Sequence, residues 1–212
     1  MTKNNSYKHK KDPHYNRAKR EGYRARSAYK LHEIQHKYQI FKRAFYILDI
    51  GCAPGSWLQV AKEHAIKNLE KYNDQYYHRE EYKIMGIDLK HVTPIDSIEI
   101  LKSNITDPET RQKISNFFDD KIDLIISDAS INKKGDKFTD HLNQIRLCYE
   151  IIKLIKLFLK KKGIFVLKCF QGSDFKTLHD DYKKEFHIVK AYKPNATKKK
   201  SNEVYLIGIK KK

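Results

Sequence analysis

Lys168 lies inside the apolar run IFVLKCF. An ammonium is costly to bury unless something pairs with it. A lysine there is either an edge residue with its head in water or an amine kept for chemistry. The apolar residues on both sides favour chemistry. Asp128 closes the preceding apolar run, LIISD, and is placed to neighbour it. Two further charges stand against apolar patterns: Lys30 in SAYKLHEI and Glu203 in SNEVYLIGI. Taken singly, each reads as a solvated helix or strand-end residue. An amine beside a carboxylate can take the proton of a hydroxyl or stabilise the oxyanion that forms.

A second constellation surrounds the turn in LDIGCAPGSW, with Asp49, Gly51, Ala53, Pro54, Gly55 and Trp57. Glycines in such a turn let a ligand approach the backbone closely. The spacing is neither G-x-G-x-x-G nor G-x-x-x-x-G-K-[ST], and Pro54 removes an amide donor, so pyrophosphate fits poorly. Charge points the same way. Asp49, Asp88 and Asp128 fall at the ends of three apolar runs, with Asn104 after another. Carboxylates repel phosphate. They suit a ligand carrying an ammonium and ribose hydroxyls. S-adenosylmethionine has both, and a sulfonium besides. Asp107, just before Pro108, reads instead as a turn former or cap.

Alternating strands and helices must hold these residues. Residues 15–37 read as one helix with Tyr29, Leu31, Ile34 and Tyr38 as its apolar stripe. Arg17, Lys19, Arg20, Arg24 and Arg26 crowd its start, interleaved with Tyr15, Tyr23 and Tyr29, which makes it a candidate RNA-docking surface. Residues 45–50 read as a buried strand, followed by helical spacing from Trp57 to Ala65. Residues 67–81 are polar and aperiodic, a loop or insertion. Further strands are expected at 83–88, 98–101, 122–127, 164–169, 189–192 and 204–209. Helices are expected from Asp107-Pro108, from a cap at Asp140 to a stop at Gly163, and from Asp174. Strands alternating with helices give an α/β domain with a mostly parallel sheet. In such a sheet ligands bind outside the carboxyl ends of the strands. The three aspartates and Asn104 fall there.

Composition narrows the class. The chain has 212 residues, of which 44 are Lys or Arg and 26 Asp or Glu, a net charge of +18. That surplus favours a polyanionic partner, nucleic acid first and an anionic membrane surface second. Three scattered cysteines without C-x-x-C spacing argue against a disulfide framework or a structural zinc site, and for a reduced, intracellular setting. No apolar run is long enough to span a bilayer. Residues 1–15 read as a basic, flexible arm ahead of a single domain over 16–212, and a monomer is expected.

In order, YRARSAYKL, LDIGCAPGSW, GIDL, LIISDAS, FVLKCFQG and SNEVYLIGI resemble the FtsJ/RrmJ family of ribose 2′-O-methyltransferases. The resemblance covers nearly the whole chain. It implies a Rossmann-like class I methyltransferase fold with helices on both faces of the sheet, and S-adenosylmethionine as methyl donor. It implies a Lys-Asp-Lys-Glu catalytic set at Lys30, Asp128, Lys168 and Glu203. Gly55, Trp57, Asp88, Asn104 and Asp128 would line the cofactor site. Two positions depart from the family pattern. Asn104 stands where an acidic residue is common, and Ile131 where a proline is usual, although Asn132 fits. FQG and SNEVY look more like the branch acting on large-subunit ribosomal RNA than the one acting on the tRNA anticodon loop.

Within the catalytic set, Lys168 is assigned as general base. Burial and Lys30 favour its neutral form, while Asp128 and Glu203 favour the charged form. The alternative is a charged Lys168 that stabilises the developing alkoxide. Rival readings are an RNA-binding protein without catalysis, a nicotinamide-dependent oxidoreductase and a structural ribosome-binding protein. The complete catalytic set, the absent G-x-G-x-x-G and the buried lysine count against them in turn.

Overall fold

The computed structural model describes residues 12–72, 80–119, 122–131 and 135–212. Its strands are β1 Tyr46–Ile50, β2 Lys83–Asp88, β3 Glu99–Lys102, β4 Ile122–Ser127, β5 Leu159–Phe170, β6 Phe186–Tyr192 and β7 Glu203–Lys211. They form one sheet in the order β3-β2-β1-β4-β5-β7-β6. β1 to β5 run parallel, and β7 is antiparallel to both β5 and β6. The helices are α1 Pro13–Arg20, α2 Ala28–Tyr38, α3 Ser56–Tyr72, α4 Pro108–Phe118, α5 Lys137–Phe158 and α6 Phe175–Glu185.

Strand β4 is buried along its whole length, as a strand covered on both faces must be. On one face, Leu31, Ile34, Trp57 and Ala61 of α2 and α3 pack on Ile47, Leu124, Ile126, Val166 and Ile207. On the other, Ile114, Phe118, Ile151, Ile155 and Leu178 of α4, α5 and α6 pack on Leu48, Ile125, Phe165 and Leu206. This is the expected Rossmann-like arrangement, a mostly parallel sheet with helices on both faces. Among the described residues no helix is long and apolar enough to cross a membrane. All three cysteines are buried and free.

Several element boundaries differ from those expected. The single helix over 15–37 is two, because Gly22 at φ +78° turns the chain between α1 and α2. Residues 13–15 belong to α1, whose N-cap Asp12 accepts from the amides of His14 and Tyr15. The rest of the expected arm, 1–11, lies outside the described residues. Helix α3 continues through polar sequence to Tyr72, because buried Asn68 donates to the carbonyls of Phe41 and Ala44. Residues 73–79, the middle of the expected insertion, lie outside the described residues. Asp136, not Asp140, caps α5, accepting from Phe138 and Thr139.

That helix also ends at Phe158, before the expected stop at Gly163. Leu159 is buried and already pairs with Ile122 in the sheet. The last carbonyls of the helix are satisfied from a distance. Lys211 of β7 donates to Ile155, Lys156 and Leu159 at 2.9, 2.8 and 2.7 Å, supplying a positive charge to the helix C-terminus.

His64 of α3 stacks on Phe41, centroids 4.6 Å apart. Burial, with Lys67 and His32 nearby, pushes its pKa down to about 4. Burial also lowers that of His32. An unfolded histidine titrates near about 6.5, so the folded chain binds fewer protons between about pH 4 and 6.5. Stability is full above that window and is lost as pH falls through it. Thermal melts from about pH 7 to 5 should show a falling Tm, by about 2–4 °C for each kcal/mol lost at this chain length. His64→Phe keeps the stack and should flatten the fall. An unchanged slope would place the acid sensitivity elsewhere.

Candidate active site

Strand periodicity assembles the site. Val166 and Lys168 of β5 share a sheet face with Leu124 and Ile126 of β4, and Asp128 follows on that same face. The antiparallel register sets Lys168 opposite Tyr205 and Phe170 opposite Glu203. Glu203, Tyr205 and Ile207 thus point where Lys168 points. Helix α2 packs on this face and delivers Lys30.

The four charges meet. Lys168 Nζ lies 3.1 Å from Asp128 Oδ1 and also donates to the Asp128 carbonyl. Lys30 Nζ pairs with Glu203 Oε1 and lies 3.9 Å from Asp128 Oδ1. Lys168 is only 6% exposed, so its partners supply what water cannot. The set brings two lysine amines and two carboxyl groups together.

Tyr205 was not singled out in the sequence. It is fully buried, and its hydroxyl lies 2.6 Å from Asp128 Oδ1 and 3.0 Å from Glu203 Oε1. Burial and the two carboxylates hold its pKa well above the usual phenol value, so it stays an O–H donor. The signal was its position two residues after Glu203, on the same face of the strand.

A cavity of about 560 Å³ opens beside this cluster at the carboxyl ends of β1, β2, β3 and β4. Gly51, Ala53, Asp88, Asn104, Asp128 and Lys168 line it, with Ile87, Ile105, Ile131 and Leu147 as apolar wall. That size and mixture suit one small cofactor. Asp88 accepts from the amides of Ala53 at 2.9 Å and Lys90 at 2.8 Å, which fixes its carboxylate at the rim. The Asn104 oxygen accepts from the Thr106 amide. Gly51 has φ +75°, and a Cβ there would come 2.4 Å from the Cβ of Ala129. Only glycine lets the turn pass this close to the strand that carries Asp128.

The other expected cofactor residues, Asp49, Pro54, Gly55 and Trp57, stand outside the lining and shape it from behind. Trp57 is buried, and its indole donates to the Ser27 carbonyl at 2.9 Å. Ser27 and Ser56 hydroxyls meet at 2.8 Å. Together these bonds fix the start of α2 one turn before Lys30. Asp49 is fully buried, and neither carboxylate oxygen has a hydrogen-bond partner among the described residues. Burial first, then Asp128 and Asp88, hold its pKa well above the usual carboxylate range. Asp88 and Asp128 at the cavity favour a cationic ligand, and the sulfonium and ammonium of S-adenosylmethionine meet that demand.

The arginines separate into two groups. Arg24 donates to the carbonyls of Pro54, Thr93 and Pro94, bracing the cavity turn. Arg26 pairs with Asp12 and donates to the Ala196 carbonyl. Both make bonds that brace the fold. Arg17, Lys19 and Arg20 remain exposed, Arg17 paired with Glu21 at 2.8 Å. Asn132 lies outside the described residues. Ile131, the departure from the usual proline, donates its amide to Gln144 Oε1 at 3.1 Å. A proline has no N–H to make that bond.

The chain is similar to known proteins. A family model described as FtsJ-like methyltransferase matches residues 23–211. A relative from Methanothrix thermoacetophila, named ribosomal RNA large subunit methyltransferase E, is 38% identical over 200 residues, 94% of this chain and 72% of its own. One of the same name from Rickettsia akari is 37% identical over 95% of this chain and 85% of its own. A crystal structure of a ribosomal RNA methyltransferase, putative, from Plasmodium falciparum superposes with a TM-score of 0.74 at 33% identity, covering 89% of this chain and 98% of that one. A Methanococcus jannaschii fibrillarin shares the fold at a TM-score of 0.53 and 19% identity. With its sheet order, its cavity and its four converging charges, the chain belongs to the FtsJ-like methyltransferase family.

Proposed function

We propose that this protein transfers a methyl group from S-adenosylmethionine to a ribose 2′-hydroxyl of large-subunit ribosomal RNA, inside the cell. The observation that carries the reading is Lys168, buried at the end of a cofactor-sized cavity with Asp128, Lys30 and Glu203 around it. The names of the relatives support ribosomal RNA over tRNA. The +18 charge supports a polyanionic substrate.

S-adenosylmethionine, when bound, supplies a methyl group already activated on a sulfonium. Asp88, Asn104 and the Gly51–Ala53 backbone would hold it, with Asp128 at the inner end. What remains for the chain is to place a hydroxyl and manage its proton. Lys168 takes that proton as general base. Asp128 holds the lysine in place, and Tyr205 holds Asp128. Lys30, tied to Glu203, faces the same point and opposes negative charge on the ribose oxygen.

Lys168→Met keeps the length of the side chain and removes the amine. Transfer from labelled S-adenosylmethionine to large-subunit ribosomal RNA should fall by about 10³-fold or more, with cofactor Kd within about threefold. Loss of cofactor binding would move Lys168 to the cofactor site. For the wild type, a base at this position requires a single-turnover rate that rises with pH and then levels. A rate that falls as pH rises would mark a charged lysine stabilising the oxyanion.

Lys19 and Arg20 are the exposed cations of α1 offered to phosphate. Lys19→Gln with Arg20→Gln should weaken RNA binding and reduce the slope of log K against log salt by about 1–2. Arg24→Gln should leave that slope unchanged. Equal slopes in all three proteins would remove α1 from the interface.

A further inference from the structure

A second cavity, about 450 Å³, lies on the other side of Ser130 and Ile131 from the cofactor cavity. Its walls come from the segments that flank three catalytic residues. Ser130 and Ile131 follow Asp128, Phe170 and Gln171 follow Lys168, and Lys200, Ser201 and Asn202 precede Glu203. Asp140, His141 and Gln144 of α5 close the far side. The four charges do not themselves line this cleft, but its walls continue from theirs along the chain, so an occupant lies beside the catalytic set.

The lining has a definite chemistry. Gln171 and Asn202 sit side by side at the end of the β5–β7 ladder, where the Gln171 amide donates to the Asn202 carbonyl at 2.9 Å. Their exposed carboxamides each offer a donor and an acceptor. Such groups read the edge of an unpaired base. Lys198, Lys199 and Lys200 are exposed along the same segment, a rim suited to phosphodiester. Gln144 is 2% exposed and its Oε1 is held by the Ile131 amide. Its Nε2 meets no hydrogen-bond geometry among the described residues, with only the weakly accepting Cys148 thiol beside it. The Gln144–Ile131 bond pins this wall of the cleft to α5.

Resting on the proposed RNA ribose methylation, we infer that this cleft receives the base of the nucleotide being methylated, read by Gln171 and Asn202, with Lys198–Lys200 on its phosphates. The base is turned out of any stack and enters beside Phe170. Its ribose then falls at Lys168. Gln171 and Asn202 would be specificity residues, distinct from the four that act on the ribose.

The test uses the full chain and transcripts of large-subunit ribosomal RNA carrying each of the four bases at the methylated position. Single-turnover transfer, RNA binding, cofactor Kd and Tm are measured for wild type and for Gln171→Ala with Asn202→Ala. The wild type should prefer one base by about tenfold or more, as one bidentate contact can supply. The variant should shrink that preference to about threefold or less and lower kcat/KM, with cofactor Kd and Tm nearly unchanged. An unchanged preference would overturn the inference, and so would a matching loss of cofactor binding. If the wild type transferred no methyl to any transcript, the proposed function would fail first. A base preference in binding, lost in the variant, would then still support the cleft, and its absence would overturn it.

Discussion

The register between β4, β5 and β7 is the constraint on which the site depends. In the β5–β7 ladder Lys168 faces Tyr205 and Phe170 faces Glu203. Ser127 pairs with Leu167 in the parallel ladder beside it, so Asp128 falls next to Lys168. A slip of one residue in either ladder would turn these side chains to the opposite face, into the packed layer of α5 and α6. The apolar neighbours prevent the slip. Val166 and Ile207 must face α2 and α3, while Phe165 and Leu206 must face the other layer. The same burial that fixes the core thus aims a lysine and two acids at one point.

Helix α2 completes the set from outside the sheet. The bonds of Trp57 and Ser56 to Ser27 fix where it starts. Glu33, one turn past Lys30, accepts from the amides of Asn195 and Ala196 and ties the helix to the loop that leads into β7. Lys30 and Glu203 therefore sit on elements that are cross-braced twice. Arg24 links the same N-terminal region to the cofactor turn. Some of the residues that looked like an RNA surface in sequence also frame the helix that carries Lys30.

Much of this was legible in the sequence for physical reasons. A lysine in IFVLKCF and acids at strand ends conflict with their apolar surroundings, and such conflicts concentrate at functional sites. The alternation of strands and helices gave the sheet and both covering layers. Other features required three dimensions. Tyr205 looked like core because a tyrosine in an apolar strand usually is. The basic residues of α1 and the α1–α2 turn looked alike in sequence, yet Arg24 and Arg26 find backbone carbonyls, while among the described residues Lys19 and Arg20 do not. Trp57 was placed in the cofactor site by resemblance, whereas its indole is spent on α2. The end of α5 was missed because a lysine from β7 supplies its cap.

The central claim is that these charges act on a ribose oxygen. Large-subunit ribosomal RNA labelled by the wild-type enzyme with methyl-labelled S-adenosylmethionine, digested to nucleosides and separated by mass, shows which atom carries the methyl group. Label on the ribose of a 2′-O-methyl nucleoside is the result this account requires. Label on a base would contradict it, because Lys168 would then have no hydroxyl to deprotonate.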